Sequence, residues 1–267
     1  MPIAQIASLK LHYELIGKGE PLVLIRGVGS NADHWYAQVP VLSNRYQLLV
    51  FDNRGIARSS DPGGPLSIRD MADDTVALME AVGIKRAHVL GYSMGGMVAQ
   101  EMALNYPEKV NGLILVATDC GHTLRIKARP EVIRLFDDMI SLGTPESKLA
   151  AARCLFATPT LEHKPEVIER YNEVSLRFPA SPEIMRKQWA AFKQHDACSR
   201  LPDMVSPTLI LTGSQDLLVP PQNAEVMVQR IPDARMVAID GGGHLFLIEQ
   251  PELFNAAVVD FLNGLPA

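Results

Sequence analysis

The stretch VLGYSMGGMV, residues 89–98, decides how the rest of the chain is interpreted. An apolar run from Ala87 to Leu90 leads into it and predicts a buried strand, and the residues from Met94 onward predict a helix. Ser93 then occupies the sharp turn between the strand and the helix. The sequence therefore predicts a serine hydroxyl that is held at the end of a strand.

Glycines on both sides of the serine fit this turn. Gly91 and Gly95 flank Ser93 at a spacing of two residues, and Gly96 adds further space. Strand and helix backbones approach closely at such a turn, so larger side chains would collide there. The amides and the positive dipole end of the following helix favour an anion beside the hydroxyl. A Gly-x-Ser-x-Gly pattern also arises by chance, but the flanking strand and helix favour a nucleophile here.

With these features the segment resembles the nucleophile elbow of the α/β-hydrolase superfamily. The resemblance implies an α/β fold, with a mostly parallel, doubly wound sheet flanked by helices and an inserted helical cap. It also implies a serine hydrolase similar to small bacterial carboxylesterases, 3-oxoadipate enol-lactonases and cofactor-free haloperoxidases. Haloalkane dehalogenases and epoxide hydrolases are disfavoured, because those enzymes carry an aspartate where this chain has Ser93.

Buried strands alternate with helical stripes over much of the chain. The predicted strands are residues 10–16, 21–25, 46–51, 87–90, 110–117, 208–212 and 235–239. The predicted helices outside the middle segment are residues 68–82, 94–106, 223–230 and 251–262. Strands that alternate with helices in this way predict a mostly parallel, doubly wound sheet.

The alternation stops in the middle of the chain, between residues 119 and 203. Helices separated by proline and glycine are predicted there at residues 130–142, 145–156, 164–178 and 182–195. In the family a cap lies at this place, so the expected division is a core of residues 1–118 and 204–267 and a cap of residues 119–203. Six apolar cap residues could line a substrate pocket or pack within the cap: Met139, Leu155, Phe156, Met185, Trp189 and Phe192.

A glycine-bearing turn follows the apolar strand at residues 21–25. In the hydrolases that this chain resembles, the turn begins His-Gly, and the next residue gives its backbone N–H to an oxyanion hole. The second N–H comes from the residue after the nucleophile. Carried over, the two donors are the amides of Val28 and Met94. Arg26 stands where histidine is usual, and it could either pair with a nearby carboxylate or favour an acidic substrate.

A serine nucleophile requires a base and a group that orients the base. His244 follows a late strand in a glycine-rich loop, and Asp216 lies just beyond the strand at residues 208–212. The chain order Ser93, Asp216, His244 is the one that the elbow motif predicts. The alternatives are His34 as the base and Asp196 or Asp240 as the acid.

Composition limits the partners. The chain has 267 residues, 47% of them hydrophobic, which suits one large domain or one domain with an insert. A net charge of -5 argues against nucleic acid or an anionic membrane as the main partner. The first residues lack a basic segment followed by a long apolar one, so a soluble, cytoplasmic protein is expected. Neither a disulfide framework nor a metal site is expected from the three scattered cysteines, Cys120, Cys154 and Cys198.

The predicted activity is hydrolysis of a carboxylic ester with a small or medium acyl group, by a mechanism that needs no cofactor and no metal. An enol-lactonase is the nearest alternative, in which Arg26 or Arg186 would meet a substrate carboxylate. A carbon–carbon bond hydrolase is a further alternative, although that group tends to carry a tryptophan shortly after its histidine, where Leu245 and Phe246 stand here. A receptor-like protein that keeps the triad to bind its ligand is the most remote.

Overall fold

The computed structural model describes residues 2–265, apart from the side chains of residues 145 and 148. An eight-stranded sheet forms its centre. The strands are β1 (Ile3–Ile6), β2 (Leu9–Ile16), β3 (Glu20–Ile25), β4 (Tyr46–Phe51), β5 (Ala87–Tyr92), β6 (Val110–Val116), β7 (Thr208–Gly213) and β8 (Ala234–Ile239). Their order in the sheet is β1-β2-β4-β3-β5-β6-β7-β8. Only β1 with β2 and β2 with β4 pair antiparallel, so the predicted mostly parallel sheet is confirmed.

Helices flank the sheet. They are α1 (Val39–Leu42), α2 (Ile68–Ala81), α3 (Met94–Asn105), α4 (Pro130–Leu142), α5 (Pro145–Leu155), α6 (Thr158–His163), α7 (Pro165–Arg177), α8 (Pro182–Gln194), α9 (Gln222–Val228), α10 (Phe246–Glu249) and α11 (Pro251–Asn263). Short 3-10 turns span Ala32–Trp35, Pro107–Lys109 and Leu201–Asp203. Within residues 2–265, no helix is long and apolar enough to cross a membrane.

The central strands are apolar because both of their faces are covered. The last four residues of β3, Leu22 to Ile25, have no exposed surface, and every residue of β5 is buried. Each buried valine, leucine or isoleucine side chain among them contributes roughly 1.5–3 kcal/mol when it is removed from water. Continuous apolar runs of this kind are typical of parallel strands between two helical layers.

The sequence did not predict four of these strands and helices: β1, α1, α6 and α10. The edge strand β1 is four residues long and partly exposed, and α6 is a six-residue helix between α5 and α7. The helices α1 and α10 have four residues each, and all four elements are too short to show a hydrophobic period, which is the signal that the prediction used. The other strands and helices agree with the predicted segments to within a few residues.

The helices α4–α8 form a continuous insertion between β6 and β7, called the helical insertion below. Its two connections to the sheet lie side by side, because Gly121 pairs with Asp196 in an isolated antiparallel bridge. The His122 N–H also donates to the His195 carbonyl at 3.0 Å. The polypeptide thus leaves and rejoins the sheet through one narrow base.

A disulfide joins Cys120 to Cys198 across this base, with 4.9 Å between their Cα atoms. This corrects the expectation that the scattered cysteines form no disulfide. The two residues are 78 positions apart in the chain, and only the return of the helical insertion to the sheet brings them together. Cys154 remains a free, buried thiol.

Candidate active site

Ser93 lies in a strained turn between β5 and α3. Its backbone angles are φ 55° and ψ −120°, a combination that side-chain-bearing residues rarely adopt. The Ser93 N–H donates to the Val116 carbonyl of β6 at 2.8 Å, which fixes the turn to the neighbouring strand. The serine side chain is therefore presented at the carboxyl edge of the parallel strands, as predicted.

The structure explains why glycines flank the serine. A Cβ atom on Gly91 would overlap the Gly95 carbonyl of the first helical turn. A Cβ atom on Gly95 would lie 2.8 Å from the Arg26 carbonyl oxygen and closer still to that of Ile25. Such approaches are too close for any side chain, so the tight packing of strand on helix depends on both glycines.

Three predicted side chains come together at this edge. The Ser93 hydroxyl lies 3.1 Å from His244 Nε2, and His244 Nδ1 lies 2.7 Å from Asp216 Oδ2. An ionised carboxylate can only accept hydrogen bonds, so the proton of the neutral imidazole is on Nδ1, and this N–H donates a hydrogen bond to Asp216. Nε2 is then the acceptor for the Ser93 hydroxyl. The arrangement is able to take a proton from the serine.

The loop that follows β7 holds the acid in place. Asp216 Oδ1 accepts hydrogen bonds from the N–H groups of Leu218 and Val219, at 2.9 and 2.8 Å. The Gln215 N–H donates to the Gly242 carbonyl at 2.8 Å, which ties this loop to the one that carries the histidine. Only 3% of Asp216 is exposed to solvent, so its carboxylate acts on the imidazole with little screening by water.

The alternative bases and acids are engaged elsewhere. His34 Nδ1 lies 3.1 Å from Asn31 Oδ1, and its Nε2 lies 3.0 Å from the Ser175 hydroxyl. Burial lowers the pKa of His34 to about 3, which makes it a poor base near neutral pH. Asp196 accepts from the Thr123 hydroxyl and the Cys198 N–H, and Asp240 accepts from the Ser214 hydroxyl.

The turn after β3 lies against the serine. A Cβ atom on Gly27 would be 3.0 Å from Ser93 Cβ and 3.4 Å from its hydroxyl oxygen. Within residues 2–265, the Val28 N–H donates no hydrogen bond. The Met94 N–H is at the first position of α3, where no earlier helical carbonyl can accept it. Two backbone donors that are unpaired among residues 2–265 thus lie next to the serine in the chain or next to Gly27, which contacts it: the N–H groups of Met94 and Val28.

Arg26 does not form the ion pair that the sequence suggested. Its guanidinium is 1% exposed and lies between the rings of Trp35 and Tyr92, 4.6 Å from each centroid. No carboxylate within residues 2–265 pairs with it, and its Nε and Nη1 atoms have no hydrogen-bond partner there. Burial lowers the pKa of the guanidinium, and the nearby phenol of Tyr92 opposes that shift. Two aromatic faces stabilise this cation in place of an acid.

Glu249 is a buried residue at the site that the sequence analysis missed. Its Oε2 atom accepts from the Gly243 N–H and its Oε1 atom from the Ala157 N–H, each at 2.7 Å. Gly243 precedes the histidine, and Ala157 belongs to the helical insertion. The carboxylate thus fastens the histidine loop to the insertion. The sequence feature that could have indicated Glu249 is its position as an acid at the end of the apolar run from Leu245 to Ile248.

A cavity of about 310 Å³ opens between the helical insertion and the loop that carries the acid. Trp189 and Phe192 of α8 line it, as two of the six predicted pocket residues, and Leu218 lines it from the acid loop. Leu155 and Phe156 do not line it, and all four of these side chains belong to the buried hydrophobic core. A second cavity, of about 380 Å³, touches the first residues of β3 and β4, at the opposite edge of the sheet from Ser93.

Comparison with known proteins agrees with this architecture. The family described as alpha/beta hydrolase fold matches residues 20–251. A protein provisionally named carbamate hydrolase RutD, from Azorhizobium caulinodans, is 32% identical and covers 99% of this chain and 99% of its own length. The enol-lactonase of Burkholderia xenovorans is 27% identical with a TM-score of 0.88, covering 98% of this chain and 100% of that one. A thermophilic esterase of Thermogutta terrifontis is 29% identical with a TM-score of 0.84, covering 97% of this chain and 96% of that one.

Proposed function

The chain belongs to the α/β-hydrolase fold family, and on that premise we propose that it is a serine hydrolase that cleaves a carboxylic ester through an acyl-enzyme. The observation that carries the proposal is the continuous relay from the Ser93 hydroxyl through His244 to Asp216. Packing alone does not require a buried histidine to join a carboxylate to a strained serine. The relay is the arrangement that nucleophilic catalysis by serine requires.

In the proposed reaction, Ser93 attacks the ester carbonyl while His244 Nε2 removes the hydroxyl proton. The negative charge that develops on the carbonyl oxygen is stabilised by the N–H groups of Val28 and Met94. His244 then gives its proton to the departing alcohol, and the acyl group stays on Ser93. Water attacks the acyl-enzyme with His244 as the base, which releases the acid and restores the serine. Each oxyanion donor contributes on the order of 3 kcal/mol to lowering the barrier.

We further propose that the helical insertion acts as a cap over this site, with residues 119–203 as the cap and residues 1–118 and 204–267 as the core. The cavity beside the acid loop supports this division, because residues of the cap form most of its wall and Leu218 of the core completes it. Trp189 and Phe192 give it an apolar surface that suits the hydrocarbon part of an ester.

The test is hydrolysis of p-nitrophenyl esters from acetate to decanoate, with Ser93→Ala as the control. We expect multiple turnovers with the parent protein, a decline as the acyl chain lengthens, and no turnover above background with Ser93→Ala. Equal rates for the two proteins would show that another group is the nucleophile. A stoichiometric release of p-nitrophenol without turnover would instead identify a binding protein that retains the triad.

Two other substrate classes are candidates, carbamates and lactones. The full-length similarity to the protein named as a carbamate hydrolase favours the former, and the similarity to the enol-lactonase favours the latter. Both reactions use the same attack on a carbonyl, so the site geometry suits them equally. Assay of an aryl carbamate and an enol-lactone beside p-nitrophenyl acetate separates the classes, because the true class has the highest kcat/KM.

A further inference from the structure

The turn after β3 has a defined shape. The Ser30 N–H donates to the Gly27 carbonyl at 3.3 Å, which closes a four-residue turn around Val28 and Gly29. Gly29 has a φ of +68°, and a positive φ at the third residue is characteristic of a type II turn. The peptide that carries the Val28 N–H is therefore held through its own carbonyl, that of Gly27.

The next peptide, between Val28 and Gly29, forms a hydrogen bond with a side chain of the helical insertion. The Gly29 N–H donates to Gln188 Oε1 at 2.8 Å, although the two residues are 159 positions apart. Gln188 lies on α8 and has no exposed surface. One turn earlier on the same helix, Met185 packs on Gly29 so closely that a Cβ atom there would overlap its sulfur. The helix thus lies directly on the turn.

Packing does not account for an amide at this position. Gln188 Nε2 is buried and has no hydrogen-bond partner within residues 2–265. An unpaired buried donor is unfavourable, and a methionine would fill the same space without one. The amide oxygen of Gln188 is the atom that forms a hydrogen bond, and its donor is the Gly29 N–H in the turn beside the nucleophile.

We propose that Gln188 is a positioning residue for the oxyanion hole. It accepts from the Gly29 N–H and thereby fixes the peptide after Val28, while the Ser30 N–H fixes the peptide before it. Val28 lies between two fixed peptides, so the direction of its N–H is set toward the oxyanion. The helical insertion then supports the chemical step as well as covering the site. This inference rests on the proposed function, in which Val28 is an oxyanion donor.

The test compares Gln188→Met with the matched control Lys187→Met. Lys187 is the adjacent residue on α8 and also joins the helical insertion to the core, through a 2.8 Å contact with Asp61, but it does not touch the turn. We expect Gln188→Met to lower kcat for p-nitrophenyl acetate by about 10- to 100-fold with KM within about threefold, since complete loss of an oxyanion donor costs roughly 10²- to 10³-fold. Lys187→Met should keep kcat within about twofold.

Several outcomes would overturn the proposal. An unchanged kcat in Gln188→Met would do so, as would an equal loss in Lys187→Met or a change confined to KM. If Gln188→Met does not fold, Gln188→Leu removes the same acceptor and carries the same expectation. An amide NMR signal of Gly29 that stays in place in the variant would also contradict it. Failure of the parent protein to hydrolyse any ester, or to be labelled on Ser93 by a fluorophosphonate, would refute the proposed function instead.

Discussion

Replacement of Asp216 by asparagine tests the relay at a single atom. Asp216 Oδ1 accepts from two backbone N–H groups, and Oδ2 accepts from His244 Nδ1. The asparagine oxygen must remain beside the two backbone donors, so its NH₂ group must face His244. Nδ1 then has to accept, which moves the imidazole proton to Nε2. A protonated Nε2 is unable to take the proton of Ser93.

The expected loss is large although the side chain keeps its shape. The wrong tautomer, together with the loss of the charge that stabilises the imidazolium, lowers kcat by about 10⁴-fold in triads of this type. At 1.36 kcal/mol for each tenfold change, this corresponds to about 5 kcal/mol in the barrier. Asp216 and His244 are 3% and 2% exposed, so water has little access through which to replace the missing acceptor.

The assay is steady-state hydrolysis of p-nitrophenyl acetate by the parent, Asp216→Asn and Asp240→Asn, with Ser93→Ala as the background. Asp240 is the matched control, because it is an exposed acid on the histidine loop that contacts Ser214 and not the imidazole. Its replacement should leave kcat within about twofold. A loss of less than tenfold in Asp216→Asn, or a comparable loss in Asp240→Asn, would refute the tautomer argument.

Two further predictions concern groups around the site. Glu249→Gln keeps only one of the two acceptor oxygens that serve Gly243 and Ala157, so we expect the free energy of unfolding to fall by about 1–3 kcal/mol and kcat to fall by about tenfold. Urea unfolding and ester hydrolysis measure the two effects, and replacement of the exposed Glu252 by glutamine should change neither. Unchanged stability and kcat in Glu249→Gln would contradict the bridging role. Burial lowers the pKa of His195 to about 4, and the negative charge of Glu101 opposes part of that decrease. As pH falls, His195 is therefore protonated in the unfolded chain at a higher pH than in the folded protein. Stability should therefore decline between about pH 6.5 and 4 by roughly 3 kcal/mol in total, and His195→Gln should flatten that part of the profile; equal slopes in urea unfolding would show that His195 does not titrate in this way.

Much of the fold could be predicted because its signals are local. The apolar run at residues 21–25 and the stripe from residue 68 needed only neighbouring residues to be interpreted, and both elements form there. The elbow is also local, since Gly91, Ser93 and Gly95 lie within one turn. The chain order of serine, acid and histidine predicted Asp216 and His244 as the other two candidates, and each of them follows a strand of the same sheet.

The remaining features depend on contacts between distant segments. An ion pair of Arg26 with a nearby carboxylate was one of two alternatives, but the rings of Trp35 and Tyr92 lie against its guanidinium. No local pattern reports which side chains will surround a buried cation. The pairing of Cys120 with Cys198 likewise needs the return of the chain after five helices.

The sequence by itself predicted the chain order of the three candidate groups: a serine, then an acid, then a histidine, each following a strand of the same sheet. Only the tertiary structure decided what holds these groups in register. Gln188 reaches the turn after β3, and Glu249 joins the histidine loop to Ala157, because the helical insertion packs against the carboxyl edge of the sheet. Contacts across 159 and 92 residues leave no periodic trace in the sequence, since they depend on how complete helices pack and not on neighbouring side chains.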